Sequence, residues 1–124
     1  MGARRSARVE QLVAEAVAEV LREGVEKRVH ARLGEDTAYW FAHRVEKRLD
    51  ELHGLYGKGM AVEVFGAALD SYPYIVEGVV MFRDYVNDPP RSMYHFMAVA
   101  VNGRIRVKVA RMVRNAVYVH SEQL

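Results

Sequence analysis

Met93–Val109 reads MYHFMAVAVNGRIRVKV, two runs of strand-forming residues on either side of Asn102-Gly103. Both central residues of a type I′ turn take positive φ, which Asn and Gly tolerate, and this dipeptide between apolar runs is the strongest short-range sign of a hairpin. A two-residue connection leaves one register. It pairs Val101 with Arg104, Val99 with Arg106, Met97 with Lys108 and His95 with Ala110 on one face of the ribbon. Ala100–Ile105, Ala98–Val107 and Phe96–Val109 fall on the other. That second face is wholly apolar and belongs in a core. The first sets Met97, Val99 and Val101 beside three cations, so it is neither core nor ordinary solvated surface.

Upstream of the hairpin the period is still 2. Met60–Leu69 reads as a strand with a bulge at Gly66, Ser71-Tyr72-Pro73 as a turn, and Tyr74–Tyr85 as a second strand. Asn87–Ser92, with its tandem prolines, is a loop. Downstream, Val113, Val117 and Val119 keep the parity of Ile105, Val107 and Val109, but Arg111 and Asn115 interrupt that face. A bulge, or a break into a fifth strand, is expected there.

Before Gly59 the period is 3.6. From about Ser6 to Leu33 the apolar positions are Val9, Leu12, Val13, Ala16, Val17, Val20, Leu21, Val25, Val29 and Leu33, the stripe of an amphipathic helix. Gly24 is a candidate kink, and Gly34 a natural stop with basic residues in the turn before it. A second helix starts at Asp36 or Thr37 and buries Ala38, Phe41, Ala42, Val45, Leu49 and Leu52. Helices first and antiparallel strands after give an α+β fold: two N-terminal helices packed on one face of a C-terminal meander of four or five strands. The expectation is a single domain over residues 1–124, with its helical half at about 6–53 and its sheet half at about 60–120. The element order and the run Trp40…Val45-Glu46…Leu49…Leu52 loosely resemble Tctex-type dynein light chains, which are dimeric adaptors. That run is generic amphipathic helix and the strands carry no motif of the family, so the family is not assigned.

With 124 residues, 51% hydrophobic and 27% charged, the chain is long enough for one core and too apolar to be disordered. No apolar run approaches the roughly 18 to 20 residues that span a bilayer, so no membrane is expected. The basic start, MGARRSARVE, runs into an amphipathic pattern and not a signal sequence, so the expected location is cytoplasmic. Cysteine is absent, which removes disulfides, thiolate metal sites and cysteine nucleophiles. A net charge of +2 is weak for a nucleic-acid binder. Arginine far outnumbers lysine and side-chain amides are scarce, as in thermophile proteins and in products of GC-rich genomes.

Four groups of residues invite a functional reading. Arg104, Arg106, Lys108, Arg114 and His120 form a basic series on the strands. Alternate strand residues lie about 6.6 to 7 Å apart, close to the phosphate spacing of a single strand of nucleic acid. The plainer reading is a polar face that guards an edge against aggregation. His43, Glu46, Asp50 and His53 share one side of the second helix, where a metal or simply solvent would suit them. Trp40 lies off the apolar stripe among Arg44, Lys47 and Glu51, either stacked on arginine stems or set at a subunit contact. His95, His120 and Lys108 have the types needed for paired-histidine cleavage of RNA by a small hydrolase or nuclease, but nothing in their spacing joins them. No cofactor loop or resident metal is expected.

The outer sheet face decides between these readings. By parity it carries Ile75, Val79, Met81, Met97, Val99 and Val101, bordered by Glu77, Arg83, Arg104, Arg106 and Lys108. Two helices cover only the opposite face, so a patch of several hundred Å² is left for a partner. The expectation is a non-enzymatic binding or assembly module, homo-oligomeric through Met81, Met97, Val99, Val101 and Trp40. Single-stranded nucleic acid on the same face is the alternative. The register itself is testable. Val107→Asp puts a charge into the core and is expected to cost several kcal/mol, enough to unfold a domain of ordinary stability, while Arg106→Asp leaves folding nearly intact. Equal melting of the two variants would refute the register.

Overall fold

The computed structural model describes residues 2–53, 59–83, 89–113 and 116–123, with side chains over 9–51, 59–83 and 89–112. Helix α1 (Gly2–Glu26) is followed by a short α2 (Val29–Leu33), a 3₁₀ turn (Gly34–Asp36) and α3 (Thr37–His53). Strands β1 (Ala61–Ala68), β2 (Tyr74–Phe82), β3 (Ser92–Val101), β4 (Arg104–Val113) and β5 (Ala116–Gln123) form one antiparallel sheet in the order β1-β2-β3-β4-β5. The α+β meander expected from the sequence is therefore present.

The first helix does not divide at Gly24. Arg28 takes a left-handed conformation (φ 50°, ψ 50°) and breaks the helix there, two residues beyond Glu26. Gly24 stays helical and buried because it is a contact point. A Cβ on it would lie 3.3 Å from both the Trp40 ring and Leu69, so a glycine lets α3 approach α1 closely. Gly34 has φ 55° and ends α2, and the Thr37 hydroxyl donates to its carbonyl at 2.7 Å across the entry to α3.

The hairpin has the register its turn dictates. Asn102 (φ 52°) and Gly103 (φ 75°) form the turn, Met97 lies opposite Lys108, and Phe96 lies opposite Val109. Phe96, Ala98, Ile105, Val107 and Val109 are buried under α1, which runs over β3 and β4, while α3 lies beside it over β1. The core is one continuous cluster with Phe41, Val45 and Leu49 of α3, Val13, Val17 and Leu21 of α1, and Val76 and Val80 of β2.

The last strand departs from simple continuation. Val113 pairs with Ala116, so the chain reverses between β4 and β5, and His120 comes to lie opposite Val109 instead of joining the row of Lys108. Reversal within two residues shifts the parity that Val117 and Val119 share with Val107 in the sequence. Strand β1 carries its bulge between Val64 and Gly66, making Phe65 the extra residue. Of the proline loop, residues 87 and 88 lie outside the described residues, and Ser92 already belongs to β3.

Tyr72 pins one end of the sheet. Its hydroxyl donates to Asn102 Oδ1 at 2.7 Å and accepts the Asn102 N–H at 2.5 Å, joining the β1–β2 connection to the hairpin turn. Inside the sheet, Gly78 lies opposite Phe96, and the ring occupies the space a side chain would need. A Cβ at Gly78 would stand 2.7 Å from Phe96 Cζ and 2.4 Å from the Glu63 carbonyl oxygen. Gly78→Ala is therefore expected to destabilise by roughly 1 to 3 kcal/mol, the usual range for overpacking. Its urea midpoint should partly recover when Phe96→Leu is added. A midpoint equal to that of the wild type would mean the ring is not seated there.

Candidate interaction face

The sheet has one face covered by helices and one that no described element crosses. Register places its residues in rows. Ile75, Val99 and Arg106 make one, Glu77, Met97 and Lys108 the next, then Glu63, Val79, His95 and Ala110, and then Ala61, Met81, Met93 and Met112. The residues expected on this face from parity are thus together on it. Met97 is 40% exposed, Met112 50% and Phe65, at the bulge, 60%. Val99, Val101 and Met81 are partly exposed. Val79 differs, being buried, because it sits between Glu63 and His95 under longer neighbours.

Arg104, Arg106 and Lys108 all project into solvent from alternate positions of β4. A hollow of about 640 Å³ beside them is lined by Val99, Val101, Asn102, Arg104 and Arg106. Arg114 and the side chain of His120 lie outside the described residues, so the basic series is described for three of its five members. Against these cations stand two carboxylates on the other flank of the same face. Glu63 is exposed on β1, and Glu77 on β2 meets His95 Nε2 through Oε2 at 2.7 Å. That contact engages the imidazole that the nuclease reading required.

Trp40 is not on this face. It is half-buried between α1 and α3, edge-on to Phe41 with ring centroids 6.3 Å apart, and packed over Gly24. The glycine gives one edge of the indole its seat. Glu46 is also committed elsewhere: its Oε1 accepts the Val62 N–H at 3.0 Å, and His43 Nδ1 is 3.9 Å from Oε2. The side chain of His53 is outside the described residues. Among the described residues no group of three or more histidines and carboxylates is arranged to hold a metal ion.

A second groove, of about 370 Å³, follows the seam between α1 and α3. Its walls hold Glu19, Glu23, Glu26 and Glu51 against Arg22, Arg44, Lys47 and Arg48, so its charges cancel. Glu23 accepts from both Arg44 and, just outside the groove, Lys27, each at 3.0 Å, and Arg48 bonds Glu19. This is a helix–helix joint. A buried polar cluster lies at the opposite end of α1, where Arg111 sits 5.9 Å from the Tyr94 ring centroid. Burial, helped by the charge of Glu10, pushes the Tyr94 phenol above its ordinary 10.0, while Arg111 and a hydrogen bond with Ser92 pull it back.

Sequence reading missed the Glu77–His95 contact, the Tyr72–Asn102 pin and the role of Glu46, since each depends on a strand or loop placement with no local signature. Compared with known protein families, curated proteins and solved structures, the chain matches none. No described helix is long and apolar enough to cross a membrane.

The helix joint has a pH dependence of known sign. Partial burial pushes the Glu23 carboxyl up, but hydrogen bonds from Lys27 and Arg44 and their charges outweigh it and hold the group below its ordinary 4.5. A depressed carboxyl contributes stability above its unfolded pKa and loses it as pH falls through the folded value. Glu23→Gln should therefore lower Tm at pH 7, by the small amount usual for half-exposed pairs, with the gap from wild type closing as pH falls below about 4.5. A gap unchanged at pH 3 would place its origin in packing.

Proposed function

We propose that this chain is a non-enzymatic assembly module that pairs with a second copy of itself through the outer face of its sheet. One observation carries the reading: Ile75, Met97, Val99 and Val101 form an apolar strip on a face that no described element covers. Monomers rarely leave several hundred Å² of contiguous apolar surface in water, and a symmetric partner is the commonest cover. The other apolar surfaces support it. The helices, Tyr39 apart, spend most of theirs on the core, and the groove between them is lined by four carboxylates and four cations.

A second reading rests on the exposure of Arg104, Arg106 and Lys108 at strand spacing, which suits a single strand of nucleic acid. Glu63 and Glu77 on the same face weigh against it.

One set of measurements separates the two. Light scattering at high micromolar concentration should give a dimer for the wild type and a folded monomer for Val99→Glu, because about 800 Å² per partner is typical of a stable contact and a charge at its centre breaks it. A monomeric wild type would overturn self-pairing. Adding a single-stranded oligonucleotide at about 0.1 M salt should leave the mass unchanged. Binding whose log–log salt slope is near −2, the value for three phosphate contacts, would instead support the second reading.

A further inference from the structure

The self-pairing proposed above, on which this inference rests, admits two isologous stackings of one sheet face on its copy in which the strands stay aligned. The two-fold axis lies in the interface and runs either across the strands or along them. The charges on the face distinguish the two. In strand order those on the strands divide about β3: Glu63 on β1 and Glu77 on β2 lie to one side, where Arg83 just past the end of β2 is the one cation among the described residues, and Arg104, Arg106 and Lys108 on β4 lie to the other. Between them β3 carries Met97, Val99 and Val101.

An axis across the strands lays β4 on β4 and brings each cation toward cations of the copy. Like charges brought together as water leaves repel, and that stacking is disfavoured. An axis along the strands lays β4 on the partner's β2 and brings opposite charges together. Glu77, Met97 and Lys108 occupy one row, so reversing that row about Met97 sets Glu77 against the partner's Lys108 at the same height. Aligned sheets cross at about 30°, which displaces a position one strand from the axis by only about 2.5 Å, within reach of a lysine. We propose that two copies stack face to face about a two-fold axis along β3, joined by two Glu77–Lys108 pairs with Met97 and Val99 packed between them. Four strands about 4.8 Å apart and some nine residues long give a face of roughly 19 by 30 Å, and its corrugated surface is of the order a stable contact buries. The His95 ring bonded to Glu77 holds the carboxylate at the flank of the apolar strip.

Exchange of the charges tests the axis. Glu77→Lys and Lys108→Glu, each made alone, set like charges together twice in a homodimer, and each should raise its dissociation constant about tenfold or more. An equimolar mixture of the two variants should form a one-to-one heterodimer, seen by native mass spectrometry and light scattering, and both exchanges in one chain should restore self-pairing. Circular dichroism melts verify that all variants fold. Variants that pair with themselves like the wild type, or fail to pair when mixed, would overturn the axis. In that case a wild-type dimer still broken by Val99→Glu keeps the face as the contact, whereas a monomeric wild type removes both.

Discussion

Because Asn102 and Gly103 both hold positive φ, β3 and β4 are joined with no slack, and a slip of one residue would exchange their faces. Phe96, Ala98, Ile105, Val107 and Val109 are then committed to the side where α1 lies, and Met97, Val99, Arg104, Arg106 and Lys108 to the other. Pairing carries the assignment outward. Strand β2 must place Val76 and Val80 under the helices, so Ile75 and Glu77 come out beside Val99 and Met97. The composition of the uncovered face follows from a two-residue turn and the pleat.

The same dependence explains what could be read in advance. The hairpin and both apolar helix stripes are local patterns, and they place most of the core and nearly every residue of the outer face. Contacts that join distant segments carry no such pattern. Nothing around Arg28 marks it as the break, since Gly24 four residues earlier is the better helix breaker; the glycine is there for the Trp40 ring. The reversal before Ala116 is legible only as an interruption, and it is this reversal that sets His120 opposite Val109, a position the basic series alone does not fix. The Glu77–His95 contact needed the pairing of β2 with β3 across a long connection, and loop length alone does not set it.

Charge is used in opposite ways on the two layers. Along the helix seam, cations and carboxylates alternate and meet at about 3 Å, so the joint is neutral and fixes how α3 sits on α1. On the sheet, acid and base are kept on separate strands with an apolar strip between them. Interleaved charges satisfy one another within a chain, and segregated charges stay available to another molecule. The helix layer therefore reads as internal scaffold, and the sheet as the surface with specificity to offer.

The Glu46 carboxylate has a wider effect than the single bond it makes. Strand β1 is at the margin of the sheet, and an antiparallel residue whose N–H is not given to its neighbour points it outward; at Val62 that donor is held by a side chain from α3. A filament built by endless strand addition needs two open margins on every subunit, β1 of one against β5 of the next. With that carboxylate on the first margin, one of the donors an incoming strand would use is already taken. An occupied donor makes strand addition at β1 costlier, and the self-pairing proposed for the flat of the sheet, being two-fold, would use up its own surface and close.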